Sequence, residues 1–124
     1  MGKLQKDTST LSNEVISHAT NLQFKASLFQ DSHHPGSTMY LSATLTEFGT
    51  PVDHRAKVRA KVILPDDNTT NLSFQEIHAG HFKADYITAI PGTYTFHVHA
   101  KGMTLDGTAF TKTINLTGAV YYGD

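Results

Sequence analysis

The sequence predicts an all-β domain, an immunoglobulin-like antiparallel β-sandwich of about seven strands. From residue 21 onward, apolar and polar residues alternate with the period of half-buried strands, and no stretch keeps the helical period of about 3.6 residues. Turn-forming residues interrupt the alternation at short, regular intervals. A chain of 124 residues is the size of one domain. We therefore assign the sandwich to residues 21–122, and residues 1–20 either to a flexible arm or to the boundary of a domain cut from a longer chain.

The first three strands are runs in which every second residue is apolar. They cover residues 22–28, 39–45 and 56–64. Turn-rich segments end the first run at residues 31–36 and the second at residues 48–51. The third run ends at Pro65-Asp66-Asp67-Asn68, because proline cannot donate to a ladder and Asp and Asn favour turns.

The last four strands are shorter or less regular. Leu72 and Phe74 predict a fourth strand, and residues 82–86, 94–100 and 110–116 predict the fifth to seventh. Lys112 interrupts the apolar face of the seventh strand. Either a bulge shifts the register there, or Lys112 lies at a sheet edge where its ammonium group reaches water.

Composition excludes several functional classes. Ten Lys and Arg residues against eleven Asp and Glu residues give a net charge of −1, without the basic excess on which nucleic-acid binding depends. The chain has no cysteine, so it offers neither a disulfide nor a thiolate metal ligand. No apolar run is long enough for a membrane helix or a signal-peptide core, which predicts no membrane insertion and no signal peptide. No catalytic or cofactor-binding motif occurs, which predicts a domain that is not an enzyme and needs no cofactor.

Histidines are the unusual feature of the composition, eight in all. His97 and His99 lie two residues apart on the predicted sixth strand, so both rings leave one face about 6.5–7 Å apart. Two imidazoles at this spacing can ligate one metal ion, although zinc needs further ligands. A metal-binding domain that uses His97 and His99 is therefore the alternative function.

The third strand offers a competing use for the same histidines. In an immunoglobulin-type sandwich the third and sixth strands are neighbours, which would place three cations beside His97 and His99. The cations are Lys57, Arg59 and Lys61. Such a face disfavours a dication and favours an anion or an acidic partner, more so in mild acid, where histidines become charged. It also fits an ordinary charged surface that blunts pairing between sheets.

Two aromatic features point to packing roles. Tyr94 opens the sixth strand, where a tyrosine corner would tie its hydroxyl to the preceding loop. Val120, Tyr121 and Tyr122 place apolar bulk at the end of the chain, and we expect them to contact a neighbouring domain. Tryptophan is absent, which weakens the case for a sugar-binding platform.

The stretch from residue 36 to residue 117 resembles bacterial immunoglobulin-like, or fibronectin-like, sandwich modules of large surface or secreted proteins. The segments that carry the resemblance are residues 40–52, 58–67, 80–84 and 91–96, followed by Val98, Ala100 and Gly102. The resemblance implies a non-catalytic spacer, scaffold or adhesion module of a longer, extracellular or cell-surface protein. Its partners would be neighbouring domains of the parent chain or another protein.

Overall fold

The computed structural model describes residues 21–123, which form two antiparallel β-sheets packed as a sandwich. The strands are β1 (Leu22–Gln30), β2 (Thr38–Glu47), β3 (Thr50–Pro51), β4 (Ala56–Ile63), β5 (Thr69–Ser73), β6 (Gln75–His78), β7 (His81–Ile87), β8 (Gly92–Met103) and β9 (Ala109–Val120). The predicted all-β sandwich is confirmed. The expected N-terminal arm, residues 1–20, lies outside the described residues. No helix in the described part of the chain has the length and apolarity needed to span a membrane.

The order of the strands places the third and sixth predicted strands side by side. One sheet has the order β1-β2-β7-β6, with β3 paired to β2, and the other has the order β5-β4-β8-β9. These are the orders A-B-E-D and C′-C-F-G of an immunoglobulin sandwich. The third predicted strand, β4, therefore pairs with the sixth, β8.

The predicted fourth strand is two strands that belong to different sheets. Ser73 of β5 pairs with Arg59 of β4, whereas Gln75 of β6 pairs with Lys83 of β7. The chain crosses between the sheets at Phe74, whose N–H donates to the carbonyl of Val58 at 3.0 Å. Alternation of apolar residues shows which face is buried, but it does not show a change of pairing partner. This split and the two-residue β3 account for nine strands instead of about seven.

The seventh predicted strand, β9, lies at a sheet edge. It pairs with β8 in unbroken register from Ala109 to Val120. Lys112 is half-buried on this edge strand. Of the two explanations for this lysine, the edge position is therefore correct and a bulge is not needed.

The core lies between the two sheets and is formed by the inward residues of β2, β4 and β8 above all. Tyr94, with 0% exposure, is the largest of the fully buried side chains. Its hydroxyl donates to the carbonyl of Ile90 at 2.7 Å and accepts from the N–H of Ala89 at 3.2 Å. The predicted tyrosine corner is present and holds the loop between β7 and β8 against the core.

Candidate functional site: a cationic sheet face

The outer face of the β5-β4-β8-β9 sheet carries the residues that the sequence singled out. Across β4 and β8, Lys57 lies opposite Lys101, Arg59 opposite His99 and Lys61 opposite His97. These three rungs form what we call the cationic strip, which consists of Lys57, Arg59, Lys61, His97, His99 and Lys101. Its residues point outward because the alternate positions of both strands fill the core.

The strip runs parallel to the strands. Neighbouring strands are about 4.8 Å apart, and alternate residues along one strand are about 6.7 Å apart, so the strip is about 13 Å long and two side chains wide. A depression of about 500 Å³ at one end is lined by Lys57, Arg59, His99 and Lys101. A linear ligand would therefore lie along the strands.

No carboxylate faces these cations from within the sheet. The strands β4, β5, β8 and β9 contain no Asp and no Glu residue. The carboxylates of the described residues lie in the other sheet or in the loops. Glu76 of β6 lines a depression together with Lys57 and Arg59, so it offsets positive charge at that end of the strip. The rest of the strip has no acidic neighbour within its own sheet, and charges act through solvent within the Debye length, about 8–10 Å.

Neutral hydrogen-bonding side chains border the strip on both sides. On β5, Asn71 lies beside Lys61 and Ser73 beside Arg59. On β9, Asn115 lies beside His97 and Thr113 beside His99. His97 is held in place, since its Nδ1 donates to Oδ1 of Asn115 at 2.6 Å. These amides and hydroxyls can donate to or accept from the backbone of a bound chain.

The expected metal use of His97 and His99 stays a prediction. Both imidazoles leave one face, but within the described residues they belong to no group of three candidate ligands. Lys61 and Arg59 lie directly opposite them, and these cations oppose a dication. Zinc calorimetry on wild-type and His97→Ala protein tests this alternative, because submicromolar binding that the substitution abolishes would establish it.

A group that the sequence analysis missed lies beside the Lys57 end of the cationic strip. Asp53, His54 and Glu76 bring one possible ligand atom each to within 4.8 Å of one another. Glu76 Oε2 accepts from the N–H of His54 at 3.0 Å and from the N–H of Gly80 at 3.2 Å, so this carboxylate joins two turns. A hydrogen bond to Asp53 raises the pKa of His54, and the charge of Glu76 raises it further. Asp53 and His54 are adjacent in sequence, but only the pairing of β6 brings Glu76 to them.

A second missed feature is an ion pair between a buried carboxylate and a half-buried arginine. Glu47, with 5% exposure, accepts from Arg55 Nη1 at 3.0 Å and from the N–H of Leu105 at 3.1 Å. Arg55 Nη1 also donates to the carbonyl of Met103 at 2.6 Å. Glu47 continues the inward alternation of β2, which is the sequence signal for its burial. The pair ties the loop before β4 to the β8–β9 hairpin.

The C-terminal residues divide between core and surface. Val120 has 0% exposure and belongs to the core of this domain, so it has no surface left for a neighbour and the expected contact does not include it. Tyr121 and Tyr122 are 54% and 77% exposed. The exposed Phe29 and Ile87 lie at the same end of the sandwich, where β1 and β7 end. Contact of Tyr121 and Tyr122 with another domain stays a prediction.

The comparisons with known proteins bear on the fold. No protein-family model and no curated protein matches this sequence. Among solved structures, the chain is similar to a DUF4426 family protein from Pseudomonas aeruginosa PAO1, with a TM-score of 0.58 and 17% identity, over 82% of this chain and 94% of that one. It also matches BslA, a bacterial hydrophobin, with a TM-score of 0.34 and 16% identity over 74% of this chain and 96% of that one, which is too distant to carry an argument. The first likeness shows that the two proteins share a β-rich, sandwich-like fold.

Proposed function

We propose that this domain is a non-catalytic interaction module whose cationic strip binds an acidic segment of a partner protein. One observation carries the proposal: a chain with a net charge of −1 gathers four fixed cations and two histidines on one sheet face whose four strands contain no acidic residue. An ordinary solvated face mixes charges of both signs.

The shape of the strip favours an extended peptide over a small anion. A small anion contacts one or two rungs, whereas a linear chain contacts all three. Alternate side chains of an extended peptide repeat at about 6.7 Å, which is also the spacing of the rungs. Alternating Asp or Glu residues could therefore meet successive rungs, while Asn71 and Asn115 bond to the peptide backbone from either side.

The proposed setting is a longer, extracellular or cell-surface protein in which this domain is a spacer, scaffold or adhesion module. The resemblance of residues 36–117 to bacterial surface modules supports it, as do the exposed Tyr121 and Tyr122 at the end of the sandwich. An antibody against the domain tests the setting on fractionated source material. A surface or secreted band far above 13.6 kDa supports it, and a cytoplasmic band near 13.6 kDa contradicts it.

Peptide binding tests the proposed function. The probe is a fluorescent decapeptide of alternating Glu and Ser, titrated with protein at moderate salt and read by anisotropy. We expect the double substitution Arg59→Gln/Lys61→Gln to weaken binding several-fold, because ion pairs between exposed side chains contribute roughly 0.2–1 kcal/mol each.

The matched control is Lys25→Gln/Lys83→Gln, which removes the same net charge from exposed positions of the opposite sheet. We expect this control to change the affinity by less than about twofold at moderate salt, where distant charges are screened. Equal losses of affinity in both variants would mean that only overall charge matters. Failure of the wild-type protein to bind the peptide would contradict the proposal outright.

A further inference from the structure

The edge strand β9 lacks several of the features that usually prevent pairing with another chain, although β1 of the other sheet runs close to it. Its twelve residues, Ala109–Val120, pair with β8 without a register shift. Natural edge strands are commonly short, bulged or interrupted by proline or several charges. β9 contains no proline, and its one charged residue is Lys112.

The backbone groups that face outward from this edge can be identified. In the β8–β9 hairpin the N–H of Thr104 donates to the carbonyl of Thr108 at 2.8 Å, so even-numbered residues of this strand face β8. The odd-numbered residues therefore direct their N–H and C=O groups away from the sheet. Ala119 agrees with this assignment, because its carbonyl accepts a hydrogen bond from the Gln30 side chain and not from β8.

The end of β1 and the segment after it already cover the last outward groups of β9. The Gln30 amide donates to the carbonyl of Ala119 at 2.9 Å and accepts from the N–H of Ala119 at 3.4 Å. The N–H of Tyr121 donates to the carbonyl of His33 at 2.8 Å. From Ala109 to Thr117, by contrast, no residue within 21–123 supplies a backbone partner to the outward groups.

The core is also incompletely closed along this edge. The inward side chains of Phe110, Ile114 and Leu116 are half-buried, as is Phe24 on β1, the neighbouring edge of the other sheet. A groove of about 530 Å³ lies between these two edges. Gln23, Lys25 and Lys112 line this groove beside Phe24 and Ile114. An added strand would satisfy the backbone groups of β9 and cover the half-buried apolar side chains at the same time.

We propose that the occupant is β9 of a second copy of this chain, paired antiparallel about a two-fold axis at Thr113. Thr113 then lies opposite itself, Thr111 opposite the partner's Asn115 and Ala109 opposite the partner's Thr117. This is the longest symmetric ladder that fits the open stretch, and it forms about ten hydrogen bonds, two for each facing pair. The product is a homodimer with one continuous eight-stranded sheet.

The side chains of β9 complement one another in this register. On the core side, Phe110 lies opposite the partner's Leu116, and Lys112 opposite the partner's Ile114. Phe110 therefore meets an apolar partner across the axis, and each Lys112 faces Ile114 and not the other copy's Lys112. On the outer side Thr113 faces itself and Thr111 faces the partner's Asn115, pairs that can form cross-strand hydrogen bonds, whereas Ala109 faces the partner's Thr117. Because one strand supplies both halves of this match, a second copy fits the edge without any further partner.

The homodimer would join two cationic strips on one face. The two β8 strands are three inter-strand steps apart, about 14 Å, with the β9 pair between them. An acidic partner long enough to span both strips would gain avidity from two-point attachment. The dimer itself does not depend on the proposed peptide binding.

Oligomeric state tests the proposal on the full chain. We expect sedimentation velocity to show a concentration-dependent shift from 13.6 kDa to twice that mass. Thr113→Pro removes one outward N–H at the axis and leaves the β8 ladder intact, so it should yield a folded monomer. Thr113→Val keeps the backbone donor and serves as the matched control, which should still dimerise. A wild-type monomer up to about 0.5 mM, or a dimer that Thr113→Pro leaves intact, would overturn the proposal.

Cross-linking gives a second readout that does not depend on the tolerance of proline. The chain has no cysteine, so a single introduced thiol reports one contact. Facing residues at a hydrogen-bonded position are about 5.5 Å apart between Cα atoms, within the range of a disulfide. Thr113→Cys should form a disulfide-linked dimer on mild oxidation, whereas Ser73→Cys, on the opposite edge strand β5, should not. Equal cross-linking of both variants would contradict pairing through β9.

Discussion

Single residues at this protein's turns show how charge and conformation act together. His54 has a positive φ of 57° and an exposed ring whose Nδ1 contacts the Asp53 carboxylate. Its pKa is raised, first by the hydrogen bond to Asp53 and then by the charge of Glu76. Because the folded state favours protonated His54, this contact stabilises the fold in acid, and its contribution is lost as the pH rises through the raised pKa.

We predict that Asp53→Asn lowers the pKa of His54 toward the ordinary histidine value. The substitution removes the charged hydrogen-bond acceptor, while Glu76 still raises the pKa by a smaller amount. NMR titration of the His54 ring measures this directly, and Asp85→Asn on β7 provides a control of equal charge change. An unchanged pKa in Asp53→Asn would contradict the assignment.

Predictions for single residues succeeded where the signal lies within one short segment of the sequence. Tyr94 was identified as a corner because it opens an apolar run after Pro91-Gly92. Arg55 was missed because its partners, Glu47 and the carbonyl of Met103, are distant in sequence and come together only in the folded sandwich. Contacts of this kind depend on the register of three strands, which one sequence does not contain.

At the scale of elements, the turn between β6 and β7 has a specific requirement for glycine. Gly80 has a φ of +69°, and a Cβ added there would lie 2.7 Å from the carbonyl oxygen of Leu45. Gly107, in the β8–β9 hairpin, has a φ of +86° and no neighbour within 4 Å of an added Cβ. A side chain would therefore carry the same conformational cost at either glycine, but only the side chain at Gly80 would clash with a neighbour.

We predict that Gly80→Ala destabilises the domain more than Gly107→Ala. The left-handed conformation costs about 1–2 kcal/mol for alanine at either position. At Gly80 the backbone of β2 must also shift, which also weakens the hydrogen bond from the N–H of Leu45 to the carbonyl of Gly80. Urea denaturation of both variants measures the difference, and equal losses of unfolding free energy would show that the close approach to Leu45 is unimportant.

Strand positions were largely predictable, but sheet membership was not. The alternating runs matched β1, β2, β4, β7, β8 and β9, because one buried face imposes a period of two on each. The run through Leu72 and Phe74 kept that period while the chain left one sheet for the other. Neither the crossing nor the short β3 changes the apolar pattern, so neither left a signal in the sequence.

For the whole molecule, the distribution of charge matters more than its sum. A net charge of −1 argued against extended basic surfaces, yet the fold gathers four of the cations onto one sheet face and leaves the described carboxylates to loops and the other sheet. Alternation and the expected neighbouring strands predicted five members of the cationic strip. Lys101 was identified as a sixth member only from the strand register, which pairs it with Lys57. The neutral border residues Asn71 and Asn115 were identified only from the pairing of β5 and β9 with the strip's strands.

Chemical-shift mapping of the acidic decapeptide on isotope-labelled protein tests the central claim most directly. We predict that the largest amide shifts fall on β4 and β8 at the three rungs, including Lys61 and His97. Added salt should weaken the binding. Shifts centred on the β1-β2-β7-β6 sheet, or no shifts at millimolar peptide, would contradict the assignment of the cationic strip as the binding site.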